Sequence, residues 1–150
     1  MDGSISSISQ PHVIVISGSV GSGKSTISAA LARALGDVPL LIFDHYGQYV
    51  EWPKDMVQWI NEGANPSQVR VPKLKDDLLS LISGKAITDP FDGKNIAPSH
   101  YIILEEPSGR ERQEIRKYID WVVYIDVPPD VCVVRMLERV LNMELWKSKG

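Results

Sequence analysis

The stretch "VIVISGSVGSGKSTISAALARAL" (Val13–Leu35) decides how the rest of the chain is read. A run of β-branched apolar residues gives way to glycines and serines, then to an alanine- and leucine-rich segment with a lysine at the join. Ile27, Leu31, Ala34 and Leu35 fall on one helical stripe, and Gly36 is a natural stop behind it. The stretch therefore predicts strand, loop and helix in succession.

The loop itself, "GSVGSGKS" (Gly18–Ser25), fits G-x-x-x-x-G-K-[ST], the phosphate-binding pattern. Backbone N–H groups can surround an anion only where side chains leave room and unusual backbone angles are allowed. Gly18, Gly21 and Gly23 meet that need. The helix that follows points its positive end at the same place. Lys24 adds a full charge for the β- and γ-phosphates, and Ser25 a hydroxyl for Mg²⁺. An ATP site built from Gly18, Ser19, Val20, Gly21, Ser22, Gly23, Lys24, Ser25 and Thr26 is expected.

Three further apolar runs read as buried strands: "PLLIF" (39–43), "YIIL" (101–104) and "WVVYI" (121–125), beside "HVIVI" (12–16). None alternates cleanly, as expected of parallel strands covered on both faces. Helices are predicted over Asp55–Ile60, Leu74–Ser83 and Gly109–Tyr118, and from "VPPD" to about Trp146, with turn chemistry in "DPFDGKN" (89–95). The alternation implies an α/β three-layer sandwich with a mostly parallel sheet. In such a sheet the chemistry lies at the carboxyl ends of the strands. Polar residues do follow them: Gly18–Thr26, Asp44, Glu105 with Glu106, and Asp126.

The 150 residues suffice for one domain with a real core. Hydrophobic residues make up 43 %, charged residues 23 %, and the net charge is −3. That balance speaks against a broad nucleic-acid or membrane surface. Cys132 is alone, which excludes an internal disulfide and fits a reducing cytoplasm. No apolar run approaches a membrane span, and "MDGSISSISQ" lacks the basic start and apolar core of a secretory signal. Residues 1–11 read as a disordered lead-in to a domain over 12–150.

"GSVGSGKST", "LIFDHYGQY", "YIILEEP" and "VVYIDVPPDVCVVRMLER", in that order, resemble the P-loop nucleoside and small-metabolite kinases of the uridine kinase type. The likeness covers most of residues 12–140. It implies the P-loop NTPase fold with strand order 2-3-1-4, and phosphoryl transfer from ATP with Mg²⁺ to a small-molecule hydroxyl. Asp44 takes the family's position for the base that serves the acceptor, a role a carboxylate between alcohol and γ-phosphate can fill. Tyr46 matches an aromatic lining the acceptor pocket, while His45 is expected to be exposed. Glu105 sits at the register of a residue near the acceptor or the metal's water shell, with Glu106 as the competing carboxylate. Arg135 and Arg139, four apart on one helical face, match arginines that lie over the phosphates. In "GRERQEIRK" (109–117), otherwise a solvated helix face, Arg110 is the candidate substrate contact.

Two departures stand out. "AITDPFDGKN" keeps Asp89 but has no histidine where uridine-type enzymes show an aromatic and a histidine, which argues against uridine itself. The chain also ends soon after the arginine helix, where family members continue through a lid and a fifth strand. Either a truncated chain or a reduced member of the family is expected, with the fourth strand left as an edge to be covered by another part of the chain, a second subunit or residues absent here. Trp52, Trp59, Trp121 and Trp146 are assigned to core or a subunit contact, which leaves a homo-oligomer open. A P-loop switch or NTPase and a non-catalytic nucleotide-binding module remain alternatives.

Overall fold

The computed structural model describes residues 9–147. Of the expected lead-in and last helix, residues 1–8 and 148–150 and the side chain of Trp146 lie outside the described residues. The order of elements is β1 (His12–Gly18), α1 (Lys24–Ala34), β2 (Leu40–Ile42), a 3₁₀ helix (Phe43–Tyr49), α2 (Met56–Asn61) and α3 (Pro72–Ile82). Then come β3 (Ile87–Thr88), β4 (Asn95–Ile96), β5 (Tyr101–Glu105), α4 (Gln113–Arg116), β6 (Trp121–Ile125) and α5 (Pro129–Lys147).

Four strands form a parallel sheet in the order β2-β5-β1-β6, the 2-3-1-4 order expected of the four apolar runs. Its register is tied at one end by Asp120, whose carboxylate accepts from the Val13 N–H at 2.8 Å while its own N–H donates to the Val13 carbonyl at 3.0 Å. Side chains alternate across the sheet and fill two layers of core. Val13, Val15, Ile102 and Leu104 meet Leu74, Leu78 and Leu81 of α3 on one face. Ile16 and Ile103 meet Ala32, with Leu31 and Leu35 of α1 packed alongside, on the other. β1, β2 and β5 read as unbroken apolar runs because both of their faces are covered, whereas β6, expected to be a buried strand, is exposed along most of its length. Truncating a core leucine such as Leu78 to alanine costs about 2–5 kcal/mol.

Several boundaries differ from expectation for local reasons. Phe43 leaves the second strand and opens the 3₁₀ helix, so the turn begins one residue earlier. Pro72, with its fixed φ and no N–H to lose, starts α3 two residues before Leu74. The 109–118 helix shrinks to α4, because Gly109 holds a positive φ in a turn and Arg112 is drawn inward as the N-cap. Residues 89–95 do form the turn of a separate antiparallel hairpin, β3–β4.

No fifth strand joins the sheet among the described residues, and β6 is an edge. Trp121, Val122, Val123 and Tyr124 are all exposed. Beyond it, α5 presents Val133, Leu137, Val140 and Leu141 to solvent. The expected cover for this edge is not supplied by the described chain. Trp52 is exposed as well and meets Trp59 edge-on at 5.9 Å, so Trp52 and Trp121 are not core residues. Among the described residues no helix is long and apolar enough to cross a membrane.

Candidate functional site

The loop between β1 and α1 is shaped by its glycines. Gly23 caps α1 at φ 96°, a left-handed angle that costs other residues about 1–2 kcal/mol. The first helical bond runs from the Ile27 N–H to the Gly23 carbonyl, so the N–H groups of Lys24, Ser25 and Thr26 have no partner within the helix. These amides, with the helix's positive end, make an anion cradle. Gly21, also at positive φ, lies against the backbone of Cys132 in α5, where no Cβ would fit. Ser22 Oγ is buried close to Gly18, with no hydrogen-bond partner among the described residues. The Lys24 ammonium donates to the Ser19 carbonyl at 3.0 Å and so stays within the loop. These features fit a nucleotide phosphate.

Ser25 Oγ donates to Glu105 Oε1 at 2.8 Å, and Ser28 Oγ reaches Glu105 Oε2 at 3.2 Å. The last residue of β5 is thereby fixed against the start of α1. Among the described residues no three His, Cys, Asp or Glu side chains are grouped to hold a metal. The Ser25 hydroxyl and the Glu105 carboxylate instead offer hard oxygen donors beside the phosphate cradle. That set suits Mg²⁺, which keeps most of its waters and binds through phosphates.

A cavity of about 590 Å³ opens over the loop. Val20–Ile27 line it on one side, Phe43, Asp44, Glu105 and Pro107 on another, and Arg135 and Arg139 of α5 on a third. Asp44 reaches it from the first turn of the 3₁₀ helix that follows β2. Arg135 Nη1 donates to the Gly21 and Ser22 carbonyls at 3.2 and 3.4 Å, which ties α5 to the phosphate loop. Asp44, Lys24, Glu105, Arg135 and Arg139 are thus brought to one cavity.

Two expected residues are elsewhere. Tyr46 does not line the cavity: it is fully buried in the core, and its hydroxyl donates to Asp77 at 2.9 Å. Burial, reinforced by the Asp77 carboxylate, pushes the Tyr46 phenol far above the ordinary tyrosine value. The 3₁₀ geometry turns this side chain inward, two positions past Asp44. Arg110 also misses the cavity; its guanidinium donates to the Asp120 carbonyl ahead of β6.

Other residues gain roles the sequence does not reveal. His45, expected to be exposed, places Nδ1 2.9 Å from the carboxylate of the buried Asp89 and stacks on Phe91 at 4.7 Å. The β3–β4 hairpin is thereby fastened next to Asp44. A second cavity of about 500 Å³ runs between this hairpin and β2. Glu106, the alternative to Glu105, is fully buried and turned away from the phosphate loop, paired with Arg112. Removing one partner of such a pair costs about 3–5 kcal/mol, because the other charge is left buried. Neither pairing has a local sequence signal. His45 and Asp89 are 44 residues apart, and Arg112 sits in a charge run that looks solvated.

Residues 14–145 match the AAA domain family. The uridine kinase of Clostridium perfringens is 27 % identical over 149 residues, covering 89 % of this chain and 70 % of its own. A protein of Silicibacter sp. TM1040 described as a fructose transport system kinase has a similar fold, with a TM-score of 0.59 at 17 % identity over 96 % of this chain and 77 % of that one. So has a protein of Bacillus stearothermophilus described as a uridine kinase, with a TM-score of 0.55 at 21 % identity over 83 % of this chain and 76 % of that one. The phosphate loop, the parallel sheet and these likenesses agree: the chain belongs to the AAA domain family and is similar to kinases of the uridine kinase type.

Proposed function

We propose that this chain transfers the γ-phosphoryl group of ATP to the hydroxyl of a small molecule, a nucleoside-like compound or another metabolite. The observation that carries the reading is that Asp44 faces the same cavity as the phosphate loop, from the end of a neighbouring strand. A carboxylate there can accept the acceptor's O–H proton as its oxygen forms the bond to phosphorus and the bond to ADP breaks. The backbone of Gly18–Thr26 and the Lys24 ammonium would hold the triphosphate. Arg135 and Arg139 would neutralise charge on the transferring group from the opposite wall. Ser25 and Glu105 would hold Mg²⁺, which supplies charge neutralisation between the β- and γ-phosphates when bound. Tyr46 and Arg110, which do not line this cavity, are left out of the proposed acceptor site.

The test is an ADP-release screen against nucleosides, vitamins and sugars, followed by Asp44→Asn with the best acceptor. Acceptor-dependent ADP release that falls roughly 10²-fold or more in the variant is expected, the scale of a lost general base. ADP release that ignores every acceptor would instead indicate an NTPase. An unchanged rate in Asp44→Asn would remove Asp44 as the base.

A further inference from the structure

We propose that Arg112, forked on Glu106, is a positioning residue that sets the distance between Asp44 and Glu105; the functional meaning of that distance rests on the reading just given. Arg112 and Glu106 are both almost fully buried. Arg112 Nε donates to Glu106 Oε2 at 3.2 Å, and Nη2 donates to Oε1 at 3.1 Å. The remaining arm, Nη1, donates to the Val69 carbonyl at 2.8 Å. The guanidinium carbon lies over the Phe43 ring, 4.7 Å from its centre. Every nitrogen of the group is used, and its face is used too.

The contacts fall on chain neighbours of the two cavity carboxylates. Phe43 immediately precedes Asp44, and Glu106 immediately follows Glu105. Phe43 itself lines the cavity. One side chain therefore joins the ends of β2 and β5 just where each delivers a carboxylate. The sheet cannot do this alone, because β2 and β5 stop pairing at Ile42 and Glu105. A buried ion pair adds little stability over apolar residues of the same shape, so core packing alone gives no reason for this one. A planar fork that also stacks does what packing cannot: it fixes both direction and distance.

The test compares Arg112→Lys, which keeps the charge but loses the fork and the flat stack, with the double variant Arg112→Met/Glu106→Leu, which removes both charges. Three quantities are read: ATP affinity by calorimetry, the ¹³C carboxyl resonance of Asp44 with its pH titration by NMR, and kcat and KM with the acceptor found above. Both variants are expected to bind ATP within about threefold of the parent, because the phosphate loop is not touched. The Asp44 resonance and its titration midpoint should move in both, and kcat should fall about tenfold or more. An Asp44 titration identical to the parent's in Arg112→Lys would overturn the proposal, as would a double variant that folds with kcat within twofold. The resonance reports position whether or not Asp44 is the base. If Asp44→Asn leaves turnover unchanged while the resonance still moves, the functional reading fails and the positioning role stands.

Discussion

Gly21 lies so close to α5 that a Cβ built on it would stand 2.7 Å from the carbonyl oxygen of Cys132. A Cβ on Gly23, two residues on, would meet nothing within 4 Å. Both residues have positive φ. Gly23→Ala should therefore cost only backbone strain, about 1–2 kcal/mol. Gly21→Ala should cost more, because a backbone carbonyl has to move as well. Urea denaturation of the two variants measures the difference; equal costs would mean that α5 does not press on the loop.

Lys24→Ala should weaken ATP binding at least tenfold without lowering the melting temperature, since among the described residues its ammonium hydrogen-bonds to the Ser19 carbonyl alone. Ser25→Ala should weaken ATP binding when Mg²⁺ is present and change it little in EDTA. Calorimetry under both conditions separates the two roles. A Ser25→Ala loss of the same size in EDTA would argue against a metal-side hydroxyl.

Tyr46 gives a pH test. Burial, with Asp77 close by, raises its phenol pKa above the ordinary 10.0, so the fold resists the phenolate. The stabilisation is present below pH 10 and is lost as pH climbs past that value, where the unfolded chain ionises and the folded one does not. Tyr46→Phe should be less stable near neutrality by about 1 kcal/mol, the worth of its hydrogen bond to Asp77. Between about pH 9 and 11 that deficit should shrink or reverse, at up to about 1.4 kcal/mol per pH unit. Parallel stability curves for the two proteins across this range would contradict it.

The bare β6 edge should be an association hazard, because no charged residue or proline interrupts 121–125. Val123→Lys places a charge on that exposed strand and should raise solubility with little change in melting temperature. Light scattering against concentration checks this. An unchanged onset of association would show that the contact forms elsewhere.

The sheet was legible because its strands are apolar on both faces and because glycine spacing marks a phosphate loop unambiguously. Strand order came from the family resemblance, whereas the placement of Asp44 and Glu105 at strand ends followed from the apolar runs themselves. Side-chain direction was not legible. Tyr46 sits two residues after Asp44, yet the tight 3₁₀ turn sends one into the core and the other to the cavity. Arg110 and Arg112 look equivalent in a charge run, but only Arg112 meets a buried carboxylate, and that depends on how Glu106 leaves β5. Pairings such as His45 with Asp89 join distant segments and leave no periodic trace.

The anchoring of α5 has a mechanical consequence. Its first turns are gripped by the phosphate loop through Gly21, Cys132 and Arg135. Past Arg139, exposed Val140, Leu141 and Met143 give it little to lean on. About 18 Å of α5, as far as Lys147, lies beyond Arg135. A tilt of about 10° at the grip would swing the far end through about 3 Å by that geometry. An adjustment of the loop around a phosphate would therefore be passed first to α5, through these same three residues.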